Sequence, residues 1–183
     1  MMERVYLSLG SNLGDRLASL KSAIRTLRQL AGVQVVRASR VYETEPWESE
    51  PGQLRGERAW YLNCVVAIDT TLGADALLAR LHDIETAHGR RRPAGTPEAQ
   101  RFTSRSIDID ILLYGDQVIS VPDELHVPHL LLHERAFVLR PLAEVAPDVE
   151  HPTLYRTMRE LAAELVDEHE VRPGDVPARW LED

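Results

Sequence analysis

The chain has 183 residues, of which 29 are acidic and 21 basic, and its formal net charge is −8. At about 150 residues per domain, this length predicts one domain over residues 1–183. The single cysteine, Cys64, cannot form an internal disulfide, which favours a reducing, cytoplasmic location. Apolar runs fall far short of the ~18 residues of a membrane span, and the acidic charge disfavours nucleic acid, so we expect neither partner.

Hydrophobic periodicity predicts strands and helices in alternation along the first two thirds of the chain. Strands are predicted at residues 5–9, 33–42, 61–69 and 106–114, and helices at residues 17–31 and 77–85. Asp15 is typical of a helix N-cap, and Gly32 and Gly89 are typical helix stops. The order strand, helix, strand, strand, helix, strand predicts an α+β fold of the ferredoxin-like (split βαβ) type, an antiparallel sheet with flanking helices.

The last third of the chain has a weaker pattern. The Gly115-Asp116 turn predicts a hairpin with a strand at residues 117–121. Short helical patterns cover residues 133–142 and 154–165, and these helices, or a ligand, could occupy the second face of the sheet. Residues 166–183 are charged and contain two prolines, so we expect a loosely attached C-terminal tail.

Asp108 and Asp110 are the strongest chemical signal. Side chains two apart in a strand point to the same face, so both carboxylates project together while Ile107, Ile109 and Ile111 enter the core. Two neighbouring carboxylates repel each other, and a bound cation relieves that repulsion. Mg²⁺ prefers such oxygen ligands and is commonly shared with a substrate phosphate. A solvent-facing row on a half-exposed strand is the alternative interpretation.

An arginine cluster precedes these acids. Residues 88–106 contain five arginines and one acid in an otherwise acidic protein. The arginines are Arg90, Arg91, Arg92, Arg101 and Arg105. Guanidinium groups bind phosphate oxygens in bidentate fashion, and a loop that carries them could close over a substrate. Together with the acid pair, the cluster favours phosphoryl-type transfer from a nucleotide over a merely solvated surface.

Two other patterns are less specific. The Gly10-Ser11-Asn12-Leu13-Gly14 turn lacks the lysine of a P-loop and the third glycine of a dinucleotide fingerprint. We therefore favour a plain strand-to-helix turn over a phosphate-binding loop. His126, His129 and His133 form an H-x2-H-x3-H run, but no cysteine lies nearby and Pro128 interrupts any helix there. We therefore expect one of these histidines to contact a nucleotide rather than zinc.

Several segments together resemble the 6-hydroxymethyl-7,8-dihydropterin pyrophosphokinase family of folate biosynthesis. The resemblance runs from about Val5 to Pro152 in the family's order. The matching segments are YLSLGSNLGDR, VYETEPW, YLN, IE-x3-GR, R-x3-RSIDIDILLYG, VPH and RAFVLRPLAEVAP. The family fold is ferredoxin-like with flanking helices. Residues 101–105 and the longer loop at residues 93–100 depart from the family's usual pattern.

The resemblance implies transfer of the pyrophosphoryl group of ATP to the pterin hydroxymethyl oxygen, with release of AMP and with two Mg²⁺ ions. Asp108 and Asp110 correspond to the metal ligands, and these two with Arg92, Arg101 and Arg105 to the catalytic groups. The implied ATP contacts are His82, Glu85, Arg90, Arg92, Arg105, Ile111, His129, Leu130 and Arg135. The implied pterin contacts are Gly10, Thr44, Glu45, Pro46, Trp47, Tyr61, Asn63 and Phe137.

Two alternatives to this enzyme remain open. A ferredoxin-like binding module could hold a nucleotide on the same basic loop without chemistry. Another Mg²⁺-dependent nucleotidyltransferase would release pyrophosphate instead of AMP. An RNA-binding domain fits least, because aromatic recognition strands and overall basicity are both missing. With small-molecule substrates only, we expect a monomer.

Overall fold

The computed structural model describes residues 1–47, 60–89, 106–177 and 180–181. Within these ranges the chain forms eight strands and four helices. The strands are β1 (Glu3–Ser11), β2 (Val33–Ala38), β3 (Tyr42–Thr44), β4 (Tyr61–Thr70), β5 (Asp108–Tyr114), β6 (Ile119–Val121), β7 (Leu125–Val127) and β8 (Val171–Pro173). The helices are α1 (Arg16–Gln29), α2 (Ala74–Ala87), α3 (Ala136–Val145) and α4 (Met158–Glu164).

Six of the strands form one antiparallel sheet. The order is β5-β1-β4-β3-β8, and β2 also pairs with β4. β1 pairs with β4 along its whole length, from Glu3 opposite Thr70 to Ser11 opposite Leu62. The fold is therefore a mixture of helices around an antiparallel sheet, as the sequence predicts.

One face of the sheet packs against α1 and α2. Val5, Leu7 and Leu9 of β1 alternate into this core and are fully buried. α1 contributes buried residues at helical spacing, from Leu20 to Leu27, and begins at the predicted cap, where the Asp15 carboxylate accepts from the N–H of Ala18 at 2.9 Å. Cys64 lies in the same core, and burial raises the pKa of its thiol. It is a packing residue.

The opposite face packs against the two C-terminal helices. Tyr6, Val65 and Ala67 form a second core cluster with residues of α3 and α4. The same face continues toward one end of β1, where Ser8 and Gly10 replace large apolar side chains. Hydrophobic packing therefore stops short of that end of the sheet.

The predicted strand at residues 33–42 is in fact two strands. The register of β2 against β4 shifts between Val35 and Arg37. Next to this shift, the Ser39 hydroxyl accepts a hydrogen bond from the N–H of Val65 at 3.0 Å. A side chain thus replaces a backbone carbonyl in the ladder, and regular pairing resumes only at β3.

The predicted hairpin after β5 is also different. The turn forms, with Gly115 at a φ of 54°, but β6 pairs with β7 and not with β5. β6 and β7 make a separate two-stranded sheet, in which Ile119 faces Val127. A tight turn with glycine at positive φ reverses the chain, but it does not determine which strand the next segment joins.

Residues 166–183 are predicted to be a loose tail, but the described part of this segment contacts the rest of the fold at several points. β8 extends the sheet by pairing with β3. Trp180 is 2% exposed, and its indole N–H donates to the carbonyl of Ser39 at 3.1 Å. In the described part of the chain, none of the helices has the length and apolar character needed to cross a bilayer.

Candidate active site

Residues of three adjacent strands form one row across the polar end of the sheet. Gly10 of β1 lies opposite Asp108 of β5 on one side and Asn63 of β4 on the other. Asp110 lies two residues along β5 and faces Ser8. Both carboxylates are half-buried, whereas Ile109 between them is 2% exposed. The two acids therefore share one face, as the sequence predicts, and the strand pairing places Asn63 on the same face.

Asn63 is held in place by a neighbouring strand. Its side chain is buried, and its Nδ2 donates to the Thr44 hydroxyl at 2.7 Å. A Cβ at Gly10 would lie only 2.5 Å from the Asn63 Oδ1. The same Cβ position lies 3.9 Å from a ring carbon of Tyr61. Glycine at this position thus leaves the space that the Asn63 amide occupies beside the Tyr61 ring.

The segment after β3 forms a wall that is tied to the C-terminal part of the chain. Glu45 is 3% exposed, its N–H donates to the carbonyl of Glu170 at 3.0 Å, and its Oε2 accepts from the N–H of Glu170 at 3.2 Å. Pro46 is buried and Trp47 is half-buried. These bonds fix the path of the chain from Thr44 to Trp47.

The start of α3 approaches the same wall. The guanidinium carbon of Arg135 lies 4.6 Å from the centroid of the Trp47 ring and 5.7 Å from that of Phe137. Both distances permit cation–π attraction. Trp47 and Phe137, which are 90 residues apart in the chain, are thus linked through one guanidinium group.

His129 lies close to both Arg135 and Asp108. Its N–H donates to the carbonyl of Leu112 at 3.0 Å, which holds the loop after β7 against β5. Burial, aided by the Arg135 charge and opposed by the Asp108 carboxylate, lowers the pKa of His129 to about 4. The imidazole is therefore neutral at pH 7. Leu130, the next residue, is 61% exposed.

α2 supplies a buried carboxylate beneath β5. Glu85 is 1% exposed, and its Oε1 accepts from the N–H of Ile109 at 2.9 Å, next to Asp108. His82 lies one turn earlier on α2 and is half-buried. The Ile111 side chain is 3% exposed and belongs to the core cluster on the opposite face from Asp108, so it does not line the row.

The arginine cluster lies outside the described residues. This applies to Arg90, Arg91, Arg92, Arg101 and Arg105, and also to the loop after Trp47. Over the described ranges, no three His, Cys, Asp or Glu side chains are grouped so that they could hold a metal ion by themselves. Asp108 and Asp110 offer two hard oxygen ligands, which suits Mg²⁺ because that ion keeps waters and takes further ligands from substrate phosphates.

Asp167 and His169 border this site, although the sequence gave no reason to select them. The Asp167 carboxylate accepts from the N–H of Ala136, the first residue of α3, at 2.8 Å. The His169 ring lies 6.1 Å from the Trp47 ring, centroid to centroid. Nothing in the local pattern distinguishes these two residues from the other charged residues of the tail, so only their position in the fold reveals them.

A carboxylate pair and a buried amide beside an aromatic ring occupy the same face of the sheet, an arrangement that suits an enzyme with a small-molecule substrate. The model of the 7,8-dihydro-6-hydroxymethylpterin-pyrophosphokinase (HPPK) family matches residues 6–147, and the chain belongs to this family.

Curated relatives agree with this assignment. The chain is 43% identical to the 2-amino-4-hydroxy-6-hydroxymethyldihydropteridine pyrophosphokinase of Methylorubrum extorquens over 148 residues, which cover 81% of this chain and 85% of that protein. It is 40% identical to the enzyme of the same name from Bacillus subtilis, and the match covers 79% of each chain.

Solved structures show the same fold. A Plasmodium falciparum HPPK-DHPS triple mutant superimposes with a TM-score of 0.67 at 16% sequence identity. That match covers 90% of this chain but only 43% of the solved chain. The likeness therefore concerns the fold alone, and the match extends over less than half of the Plasmodium chain.

Proposed function

We propose how this chain carries out the reaction of its family. The chain transfers the pyrophosphoryl group of ATP to hydroxymethyldihydropterin in folate synthesis. The observation that carries the site assignment is the row across the sheet, in which Asp108, Gly10 and Asn63 are direct neighbours on three strands. It brings the residues proposed for the metal and for the pterin within one face.

Asp108 and Asp110 are the proposed ligands of Mg²⁺, with two ions per site. When bound there, the ions would neutralise and align the triphosphate. The support is the shared face of the two carboxylates and their hard oxygen chemistry. Glu85 supports the metal-binding strand from below, because its carboxylate accepts from the N–H that lies between the two acids.

The ATP site is proposed to lie beside these carboxylates. Arg135 brings a positive charge to this end of the sheet, and the neutral His129 lies within electrostatic reach of Asp108. A neutral imidazole has one nitrogen that donates and one that accepts a hydrogen bond, and it carries no positive charge that would repel a metal ion. His82, Leu130 and the backbone at Ile111 complete the described part of the proposal. Arg90, Arg92, Arg101 and Arg105 remain proposed phosphate ligands.

The pterin pocket is proposed to lie between Asn63 and the wall after β3. An Asn side chain offers both a donor and an acceptor, which suits the polar edge of a flat heterocycle, and Tyr61 and Phe137 supply ring faces. Thr44 holds the amide at 2.7 Å, and the missing side chain at Gly10 leaves room for it. Glu45, Pro46 and Trp47 form the adjoining wall.

The proposed chemistry is an in-line displacement at the β-phosphorus. The pterin hydroxymethyl oxygen forms a bond to that phosphorus and gives up its proton to water, and the bond from the β-phosphorus to the oxygen bridging it to the α-phosphorus breaks, so that AMP leaves with the bridging oxygen. Positively charged guanidinium groups stabilise the charge that develops, a role assigned to Arg92, Arg101 and Arg105. None of the described side chains is assigned as a general base.

We also propose that the fold is the ferredoxin-like type. In support, β5, β1, β4 and β2 are neighbours in that order, all are antiparallel, and α1 and α2 follow β1 and β4 in the chain. We also propose one domain that works in the cytoplasm, for which the chain length and the single cysteine are the support, and we propose that it is a monomer.

One assay separates the proposal from its alternatives. The protein is incubated with ATP, Mg²⁺ and 6-hydroxymethyl-7,8-dihydropterin, and the nucleotide and phosphate products are separated by ion exchange. Formation of AMP and of a pterin diphosphate in equal amounts is expected. Release of pyrophosphate would indicate a nucleotidyltransferase, and no turnover despite ATP binding would indicate a binding module.

A further inference from the structure

Asp167 joins several parts of the structure through one carboxylate. It accepts from the N–H of Ala136 at 2.8 Å, from the N–H of His169 at 3.0 Å and from the His169 Nδ1 at 2.6 Å. Its side chain is 4% exposed. Burial opposes its ionisation, but these hydrogen bonds outweigh burial and lower the pKa of Asp167. The carboxylate thus fixes both the His169 ring and the first residue of α3.

The His169 ring in turn lies against the Trp47 ring. The two ring centroids are 6.1 Å apart, with an interplanar angle of 33°. The His169 side chain is 13% exposed, and the next residue, Glu170, is hydrogen-bonded to Glu45 through both backbone groups. The backbone next to His169 is therefore hydrogen-bonded to the segment that carries Trp47, which limits how far the imidazole can move away from the Trp47 ring.

Trp47 also borders a cavity. A cavity of about 570 Å³ is lined by Trp47, His133, Glu134, Leu161 and the chain from Glu164 to His169. The contacts of the Trp47 ring with His169 and Arg135 therefore help to define its rotamer. Binding residues act well only when neighbouring side chains hold them in the productive geometry.

We propose that Asp167 and His169 are positioning residues for pterin binding: His169 holds the Trp47 ring, and Asp167 holds His169 together with the start of α3. The inference rests on the proposed function, which assigns Trp47 and Phe137 to the pterin pocket. His169 lies against Trp47, and the start of α3 that Asp167 holds leads into Phe137, so both contacts concern residues assigned to the pterin. Arg135, which is assigned to ATP, also lies against Trp47, so the pair is expected to affect the pterin more than ATP.

The test compares substitutions of His169 by their steady-state constants for each substrate. A contact between aromatic rings contributes about 0.5–1.5 kcal/mol, so His169→Ala is expected to raise KM for the pterin by about 2- to 10-fold while KM for ATP rises less. His169→Phe keeps a ring against Trp47 and restores most of the affinity. His169→Gln keeps a hydrogen-bonding group but no ring, and does not. Glu168→Ala, an exposed neighbour on the same segment, is the matched control and leaves both KM values unchanged.

Three results would overturn the proposal: an unchanged pterin KM in His169→Ala, an equal rise in both KM values, or recovery with Gln but not with Phe. If His169→Ala does not fold, as judged by circular dichroism, the comparison of Phe with Gln decides, since both keep most of the side-chain volume. Lack of AMP formation by the unsubstituted protein would instead contradict the proposed function. Pterin binding measured directly on the same variants would then still test the positioning role.

Discussion

Gly10→Ala tests the pterin pocket at its most tightly packed point. The new Cβ would lie 2.5 Å from the Asn63 Oδ1, a distance that real Cβ atoms do not tolerate, so the amide must move. It cannot move without cost, because Asn63 is 4% exposed and its Nδ2 is bonded to Thr44 at 2.7 Å. The substitution therefore acts on pterin recognition through Asn63.

The size of the effect follows from two terms. A lost hydrogen bond costs about 0.5–1.5 kcal/mol, and overpacking of a closed site costs about 1–3 kcal/mol. Because the amide can relax partly, we expect a loss of about 1–3 kcal/mol in pterin binding, which is a rise in KM of about 5- to 150-fold. KM for ATP is expected to change by less than about twofold, since no atom of Asp108 is among the nearest neighbours of the new Cβ.

Steady-state kinetics with Gly10→Ala, Asn63→Ala and the double variant measure this coupling. If the new methyl group acts by displacing the amide, the double variant resembles Asn63→Ala alone. Independent, additive effects of the two substitutions would refute the reasoning. Gly14→Ala is the control: its φ of 60° strains an alanine there, but no atom lies within 4 Å of the new Cβ. It is expected to lower stability and leave the pterin KM unchanged.

Further predictions concern stability. Glu85→Ala leaves the buried N–H of Ile109 without this acceptor and is expected to cost about 1–3 kcal/mol in urea unfolding, whereas Glu85→Gln retains most of it. Trp180→Ala is expected to cost about 3–5 kcal/mol, because the ring is 2% exposed and bonded to Ser39; a change below about 1 kcal/mol would show that the tail is loose after all. Burial lowers the pKa of His129 to about 4, from 6.5 in an unfolded chain. Between these values the unfolded state binds more protons, so acidification from pH 7 to pH 4 lowers the free energy of unfolding, by about 3 kcal/mol at most. In His129→Gln the free energy of unfolding is expected to fall less steeply with pH. An equally steep fall would contradict the pKa shift.

The sequence predicts the central sheet well because its strands and helices have strong periodic patterns. Val5, Leu7 and Leu9 alternate into the core, and the α1 residues from Leu20 to Leu27 recur at helical spacing, so local pattern and final environment agree. The shared face of Asp108 and Asp110 follows from the same alternation. Their distance from Asn63 does not, because it depends on the pairing of three strands that are far apart in the chain.

Long-range contacts account for what the sequence did not predict. β8 is three residues long and has no alternation, yet it pairs with β3. At this edge, Arg172 bonds to Glu43 at 2.8 Å, and the backbone of Glu170 is hydrogen-bonded to Glu45. Composition describes this segment as charged and proline-containing, which is also true of a solvated tail. Only the partners distinguish the two cases, and those partners lie about 125 residues earlier in the chain.

AMP formation as a function of Mg²⁺ concentration shows whether the carboxylates of β5 hold a metal that presents ATP to the pterin. Asp108→Ala and Asp110→Ala are measured beside Asp116→Ala, an exposed acid in the turn just after β5. We expect the two β5 variants to lose at least about 100-fold in turnover at saturating substrates, while Asp116→Ala behaves like the unsubstituted protein. Unchanged turnover in either β5 variant, with the same Mg²⁺ dependence, would exclude this role of the carboxylates.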